Sequence, residues 1–152
     1  SLPNRRAMER LLVAELARVE RYGGELTVAF IDLDHFKAVN DTYGHDFGDA
    51  LLQYLADGLR KMSRQSDFAT RLAGDEFVLV LPQTEGAKAA ELLARIEAEF
   101  TSRPLKFQGE TLEVKISYGV ASSREHLNQS DLLKLADSRL YESKNRKKSF
   151  RH

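Results

Sequence analysis

The chain has 152 residues, no cysteine, and 23 basic against 23 acidic side chains. One domain with a real hydrophobic core fits that length, and 42% apolar with 30% charged residues is an ordinary globular balance. Zero net charge excludes a global field for nucleic acid or an anionic membrane, so any phosphate site must be local. The missing cysteine removes disulfides, thiolate zinc sites and thiol nucleophiles, and suits a reducing compartment. No apolar run approaches the roughly 20 residues that span a bilayer.

Met8, Leu11, Leu12, Leu16 and Val19 fall at helical spacing, and Gly23-Gly24 stops that helix. Leu26 to Leu33 is nearly continuous apolar sequence, as expected of a strand covered on both faces. A short helix is expected to start near His35. Phe47, Ala50, Leu51, Tyr54, Leu55, Leu59 and Met62 then mark a strong amphipathic helix. Two short strands follow, at about Phe68–Leu72 and Phe77–Leu81, joined by a tight turn at Gly74-Asp75. Ala89, Leu92, Leu93, Ile96 and Phe100 predict another helix. Leu105 to Gln108 and Leu112 to Val120 read as strands around Gly109-Glu110. A last helix runs from about Ser130 toward Arg146, with Leu132, Leu133, Ala136 and Leu140 inward. The main order, αβαββαβα, lacks strict alternation of strand and helix. It predicts an α+β domain with a mixed central sheet flanked by helices. Repeats and Pro/Gly-rich linkers are absent, so residues 1–152 are expected to form a single domain. The start at Ser1, without methionine, reads as a fragment of a longer protein.

Two acidic pieces carry the chemistry. In Phe30-Ile31-Asp32-Leu33-Asp34-His35-Phe36-Lys37, carboxylates sit where an apolar strand ends. Residues two apart on a strand share a side, so Asp32 and Asp34 cannot both be buried without partners. Either one has a bland alternative, capping the short helix near His35. In Arg71-Leu72-Ala73-Gly74-Asp75-Glu76-Phe77, Asp75 and Glu76 occupy a turn between strongly apolar flanks. Gly-Asp is also common turn chemistry. On neighbouring strands, however, the hairpin tip would approach Asp32, and two carboxylates from separate loops suit a divalent cation that carries a nucleoside triphosphate. Near Phe36 and Lys37 a helix start offers amides to phosphate. His35, His45, His126 and His152 show no zinc-like grouping.

These pieces, with Phe36-Lys37-Ala38-Val39-Asn40-Asp41-Thr42-Tyr43-Gly44-His45-Asp46-Phe47-Gly48-Asp49 between them, resemble the GGDEF family, the diguanylate cyclases that make cyclic di-GMP from GTP. The resemblance covers nearly the whole chain, beginning at Leu2-Pro3-Asn4-Arg5. It implies a ferredoxin-like, palm-type fold shared with nucleotide cyclases and polymerases. It also implies Mg²⁺ (or Mn²⁺) held by Asp32, Asp75 and the Leu33 carbonyl. Asp75 is then the base for the attacking 3′-hydroxyl, with Glu76 beside it in the catalytic motif. Phe36 and Lys37 lie at the phosphates, Lys37 stabilising the transition state. Asn40 and Asp49 read guanine, and His45 lies in the same pocket. The chemistry is apt, because a carboxylate accepts from guanine N1–H and the 2-amino group, a pair that adenine lacks.

On the last helix, Asp137, Tyr141, Lys144 and Lys148 share a face. Lys144 matches the family lysine that reaches the triphosphate. Lys148 stands where arginine is usual, keeping the charge without the bidentate fork. Lys147 stands where glycine is common. A basic last turn also complements the helix dipole, so Lys148 has two readings. Ala73 replaces the first motif glycine, giving Ala-Gly-Asp-Glu-Phe. At positive φ its methyl would cost roughly 1 kcal/mol; at negative φ nothing is lost.

Arg64-Gln65-Ser66-Asp67 coincides in position with the family's product-inhibition site, where the arginine forks cyclic di-GMP and the aspartate reads guanine. Arg95 sits where a second inhibitory arginine is often found. An R-x-x-D is otherwise a surface ion pair.

The resemblance thus implies a diguanylate cyclase catalytic domain working as a homodimer, each protomer supplying half of the active site. An N-terminal sensory or regulatory domain is expected to be missing from this chain. The domain is expected to be cytoplasmic, in a parent protein that is free or membrane-anchored, without membrane or nucleic-acid contacts of its own. A catalytically silent domain that binds GTP or cyclic di-GMP is the alternative, favoured by Ala73 and Lys148. A generic palm-like nucleotidyl transferase fits less well, because Asn40 and Asp49 suit guanine.

Overall fold

A computed structural model of the chain describes residues 4–149; Ser1, Leu2, Pro3 and His152 lie outside the described residues. Helix α1 (Arg5–Tyr22) begins where the Asn4 side chain accepts the Ala7 amide at 2.9 Å. It buries Met8, Leu12 and Leu16, one per turn. Strand β1 (Thr27–Leu33) is buried along its whole length. Helices α2 (Phe36–Tyr43) and α3 (His45–Met62) follow, separated only by Gly44. Then come β2 (Phe68–Ala73), β3 (Glu76–Leu81) and α4 (Gly86–Ser102). Strands β4 (Leu105–Phe107) and β5 (Glu110–Leu112) form a hairpin, and β6 (Ile116–Ser122) and α5 (Gln129–Ser149) end the chain.

The main sheet has the order β2-β3-β1-β6. The α+β, palm-like class is as expected, but the sheet is antiparallel at every pairing rather than mixed. The crossovers explain the difference. From β1, α2 and α3 lead to β2, with β3 inserted between them; from β3, α4 leads to β6, with β1 inserted between. Each crossover therefore joins strands of one direction that never touch, which is the split βαβ arrangement. The expected strand Leu112–Val120 is also divided. Val114 and Ile116 are both buried, but the chain leaves the small hairpin at Leu112 and enters the main sheet at Ile116. Apolar continuity does not reveal a change of sheet.

Alternation along β1 sorts the core into two layers. Ala29, Ile31 and Leu33 face α3 and α4 with Leu55, Leu59, Leu93 and Ile96. Val28 and Phe30 face α1 and α5 with Met8, Leu12, Leu132 and Ala136. By the same parity Asp32 belongs to the α5 side.

The end of the sheet remote from Asp32 is tied by Glu25. Its carboxylate accepts from the Ser122 hydroxyl at 2.5 Å, the Gly86 amide at 2.8 Å and Arg124 Nε at 2.8 Å. The Ser122 hydrogen bond leads these in holding the carboxyl below its ordinary value of 4.5, against the opposing effect of burial. A lowered folded-state pKa means that the unfolded chain takes up the proton first, so this contribution is full above 4.5 and is lost as pH falls through the folded value. Glu25→Gln should therefore cost about 2 kcal/mol near neutral pH. The gap to the unsubstituted chain should close in acid, as read by urea unfolding at several pH values; a gap that persists undiminished would refute this role.

Candidate active site

Three segments converge at the other end of the sheet: the end of β1 with the start of α2, the β2–β3 hairpin tip, and the last turns of α5. They enclose a cleft of about 300 Å³ lined by Leu33, Asp34, Phe36, Lys37, Asp75, Lys144, Lys147 and Lys148, with His35 at its edge. In this way the structure brings together the two acidic pieces that lie far apart in the chain.

Asp32 lies behind the cleft. It is 8% exposed, and its Oδ2 meets Lys144 Nζ at 2.5 Å. Oδ1 is buried without a hydrogen-bond partner. Burial pushes the Asp32 carboxyl up to about 7, and the Asp75 carboxyl, within hydrogen-bonding reach, adds to the rise; Lys144 opposes it. Asp32 is buried and Asp75 half-buried, and the one cation paired with them is Lys144. The orphaned Oδ1 is a vacant hard-oxygen donor, so the residues present fit a divalent cation. Among the described residues no group of three or more acidic, histidine or cysteine side chains gathers. The site thus suits a cation whose remaining ligands are water and phosphate, as Mg²⁺ prefers.

Neither aspartate caps α2. The cap position is His35, in the left-handed region at φ 60°, without a side-chain cap hydrogen bond. Asp34 instead accepts from the Ser117 hydroxyl at 2.6 Å and from Lys147 Nζ at 2.7 Å, while its amide donates to the Lys115 carbonyl at 2.9 Å. Asp34 therefore ties β1 to β6 and α5. Lys147 is the residue that sequence reasoning missed. Its Nζ also donates to the Ile116 carbonyl at 2.5 Å and lies 3.6 Å from Glu97 of α4. Its spacing of three from Lys144 on one helix face was the available signal. Lys37 and Lys148 line the cleft and carry no salt bridge among the described residues.

The hairpin tip is conformationally specific. Gly74 has φ +50°, a value that glycine adopts at little cost. Arg71 Nε donates to its carbonyl at 2.7 Å. Ala73 lies in β2 and is not among the residues of positive φ, so its methyl carries no backbone penalty. Glu76 starts β3 opposite Asp32 and does not line the cleft.

Asn40, His45 and Asp49 also lie outside the cleft lining. They form a neighbouring group on α2 and the first turn of α3, where Asn40 packs against Gly48. Tyr43 stacks on Phe47 at 4.8 Å, and Phe107 of the small hairpin meets Phe47 edge-on at 5.7 Å. His45 and Asp49 are exposed.

Arg64, Asp67 and Arg95 line a second cleft toward the opposite end of the sheet, with Thr84, Lys88 and Glu91. The Asp67 side chain is only 1% exposed. Its oxygens take the Arg64 amide at 2.8 Å and guanidinium at 3.1 Å. Arg64 further donates to Thr84 Oγ1 at 2.6 Å and the Pro82 carbonyl at 2.9 Å. Asp67 thus holds Arg64 at the rim, which is more than a loose surface ion pair.

Known proteins with this arrangement are numerous. The family described as "Diguanylate cyclase, GGDEF domain" matches residues 1–149. The diguanylate cyclase DgcP of Pseudomonas aeruginosa is 41% identical over 94% of this chain, and the cyclic di-GMP phosphodiesterase NbdA of the same organism 38% identical over 94%. The chain spans only 21% and 18% of those two relatives. Among solved structures, the GGDEF domain of YfiN (TpbB) from P. aeruginosa superposes with a TM-score of 0.92 at 36% identity, over 96% of this chain and 92% of that one. The GGDEF domain of DgcB from Caulobacter crescentus, in complex with c-di-GMP, gives 0.90 at 33% identity, over 95% and 84%. With its antiparallel palm, its hairpin Ala73-Gly74-Asp75-Glu76-Phe77 and its paired carboxylates, this chain belongs to the GGDEF family of diguanylate cyclase domains.

Proposed function

We propose that residues 1–152 are the catalytic domain of a diguanylate cyclase, one unit of a longer cytoplasmic or membrane-anchored signalling protein. It condenses two GTP into cyclic di-GMP across a homodimer. The observation that carries this reading is the pairing of buried, partly unsatisfied Asp32 with Asp75 beneath a rim of lysines. Asp32, Asp75 and the Leu33 carbonyl would hold Mg²⁺ or Mn²⁺, which when bound would screen the triphosphate and polarise the α-phosphorus. Lys37, the Phe36 amide, Lys144 and Lys148 hold the phosphates; Lys144 leaves Asp32 to do so. Asn40 and Asp49 read the base, with His45 beside them. Asp75 takes the proton of the 3′-hydroxyl, whose oxygen bonds to the α-phosphorus of the GTP on the partner protomer. The bond from that phosphorus to the β-phosphate oxygen breaks and pyrophosphate leaves.

A silent, nucleotide-binding domain is the second reading. It is favoured by the ion pairs of Lys144 and Lys147 with Asp32 and Asp34, and by lysine rather than arginine at 148. Incubation with GTP and Mg²⁺, followed by chromatography, separates the two. Cyclic di-GMP and pyrophosphate are expected, and their absence even at high protein concentration would leave only the binding reading.

Product inhibition belongs to the same proposal, with cyclic di-GMP bound at Arg64, Asp67 and Arg95. Arg64→Ala is expected to raise the cyclic di-GMP concentration for half-inhibition by about 10-fold or more, the size of a lost charge-assisted contact. Unchanged inhibition would remove Arg64 from that site.

A further inference from the structure

We propose that Gly48 is a positioning residue for nucleobase recognition, because it fixes the orientation of the Asn40 carboxamide. This deepens the guanine reading above and rests on it. Gly48 lies inside α3, is buried, and is not among the glycines of positive φ. Its backbone therefore does not require glycine, and glycine in a helix interior is unfavourable relative to alanine. The neighbouring side chain explains it. A methyl at this position would lie 1.7 Å from Asn40 Oδ1, 2.8 Å from Cγ and 3.4 Å from Nδ2. The carboxamide occupies the space that any other residue would fill.

The orientation has a chemical consequence. Oδ1 of Asn40 is buried without a hydrogen-bond partner, in contact with the Gly48 backbone, where a Cα–H is the only donor on offer. The flipped amide would bury two N–H donors there instead of one acceptor, which is worse. Nδ2 is thus the part of Asn40 left to meet a ligand, and it donates. Asp49, next in sequence and exposed, only accepts. A donor beside an acceptor matches guanine, with its O6 acceptor and its N1–H and 2-amino donors. Adenine presents the reverse at position 6. Gly48 thereby turns a residue able to donate or accept into one that donates.

The test is equilibrium binding of α,β-methylene-GTP and α,β-methylene-ATP with Mg²⁺, since the bond that would break is blocked. The chains are unsubstituted, Gly48→Ala, Asn40→Ala, and the double variant. Gly48→Ala should weaken the guanine ligand about 10-fold and leave the adenine ligand unchanged, as Asn40→Ala should. The double variant should bind no more weakly than Asn40→Ala alone, because the methyl then has room. Losses that multiply in the double variant, or wild-type binding by Gly48→Ala, would overturn the inference. If Gly48→Ala fails to fold, recovery of folding in the double variant supports it and continued failure overturns it. An unsubstituted chain that binds neither ligand overturns the nucleotide reading itself, and this inference with it.

Discussion

Asp75→Asn is expected to lower cyclic di-GMP formation by about 10²–10⁴-fold, the span over which a positioned base contributes, while leaving the fold intact. Asparagine has the same shape and tolerates turns. The turn itself is set by the positive φ of Gly74 and by the Arg71 hydrogen bond to its carbonyl, neither of which uses the Asp75 side chain. The substitution removes a proton acceptor and half of the anionic pair together. It also relieves Asp32, whose buried carboxyl is raised partly by Asp75, so the melting temperature should hold or rise slightly. Chromatography of the product and a thermal melt of the same sample check both halves. Turnover within a factor of three of the unsubstituted chain would refute the role of Asp75. A collapse of the melt would show instead that the carboxylate is structural.

The helices and both hairpin strands were legible because each carries its own period. One buried residue per turn marks α1, and apolar flanks around Gly74-Asp75 mark the β2–β3 tip. The pairing of Asp32 with Asp75 was legible only as a conditional, since it requires β1 and β3 to be neighbours. The register Asp32 opposite Glu76 supplies that condition. What was illegible depends on partners distant in sequence. Glu25 carried no signal, since its partners Gly86 and Ser122 lie 61 and 97 residues away. Lys147 looked like a lost glycine, yet it crosses 113 residues to reach Asp34. The direction of neighbouring strands was misread for a similar reason. A helix between two strands suggests a parallel pair, and no local pattern reveals that a third strand will be inserted between them. The Ala73 question was conformational, and only its place in β2 answers it.

Gly119→Ala is expected to destabilise the protein strongly. A Cβ at Gly119 of β6 would stand 2.3 Å from the Ala136 carbonyl oxygen, 2.3 Å from the Leu140 nitrogen and 2.7 Å from the Arg139 carbonyl carbon. All three are backbone atoms of α5, so no rotamer change relieves the contact, and the helix must lift from the sheet. Gly58 offers a comparison. A Cβ there would meet the buried Phe100 ring at 2.4 Å, a side chain rather than backbone. Overpacking of this kind typically costs about 1–3 kcal/mol, and Gly119→Ala belongs at or above the upper end. For a chain of this size that corresponds to a fall in Tm of about 6–12 °C, with Gly58→Ala below it. The effect reaches the site because α5 carries Lys144 and Lys147, whose amines touch Asp32, Asp34 and the Ile116 carbonyl over short distances. A helix shifted by about 1 Å withdraws them, and displacement on that scale is enough to disturb a catalytic arrangement. The variant should therefore lose turnover even well below its own melting temperature. A melt within about 2 °C of the unsubstituted chain would mean that α5 yields more easily than its seat on Gly119 implies, and that the lysines are not held in place by the close approach of helix and strand.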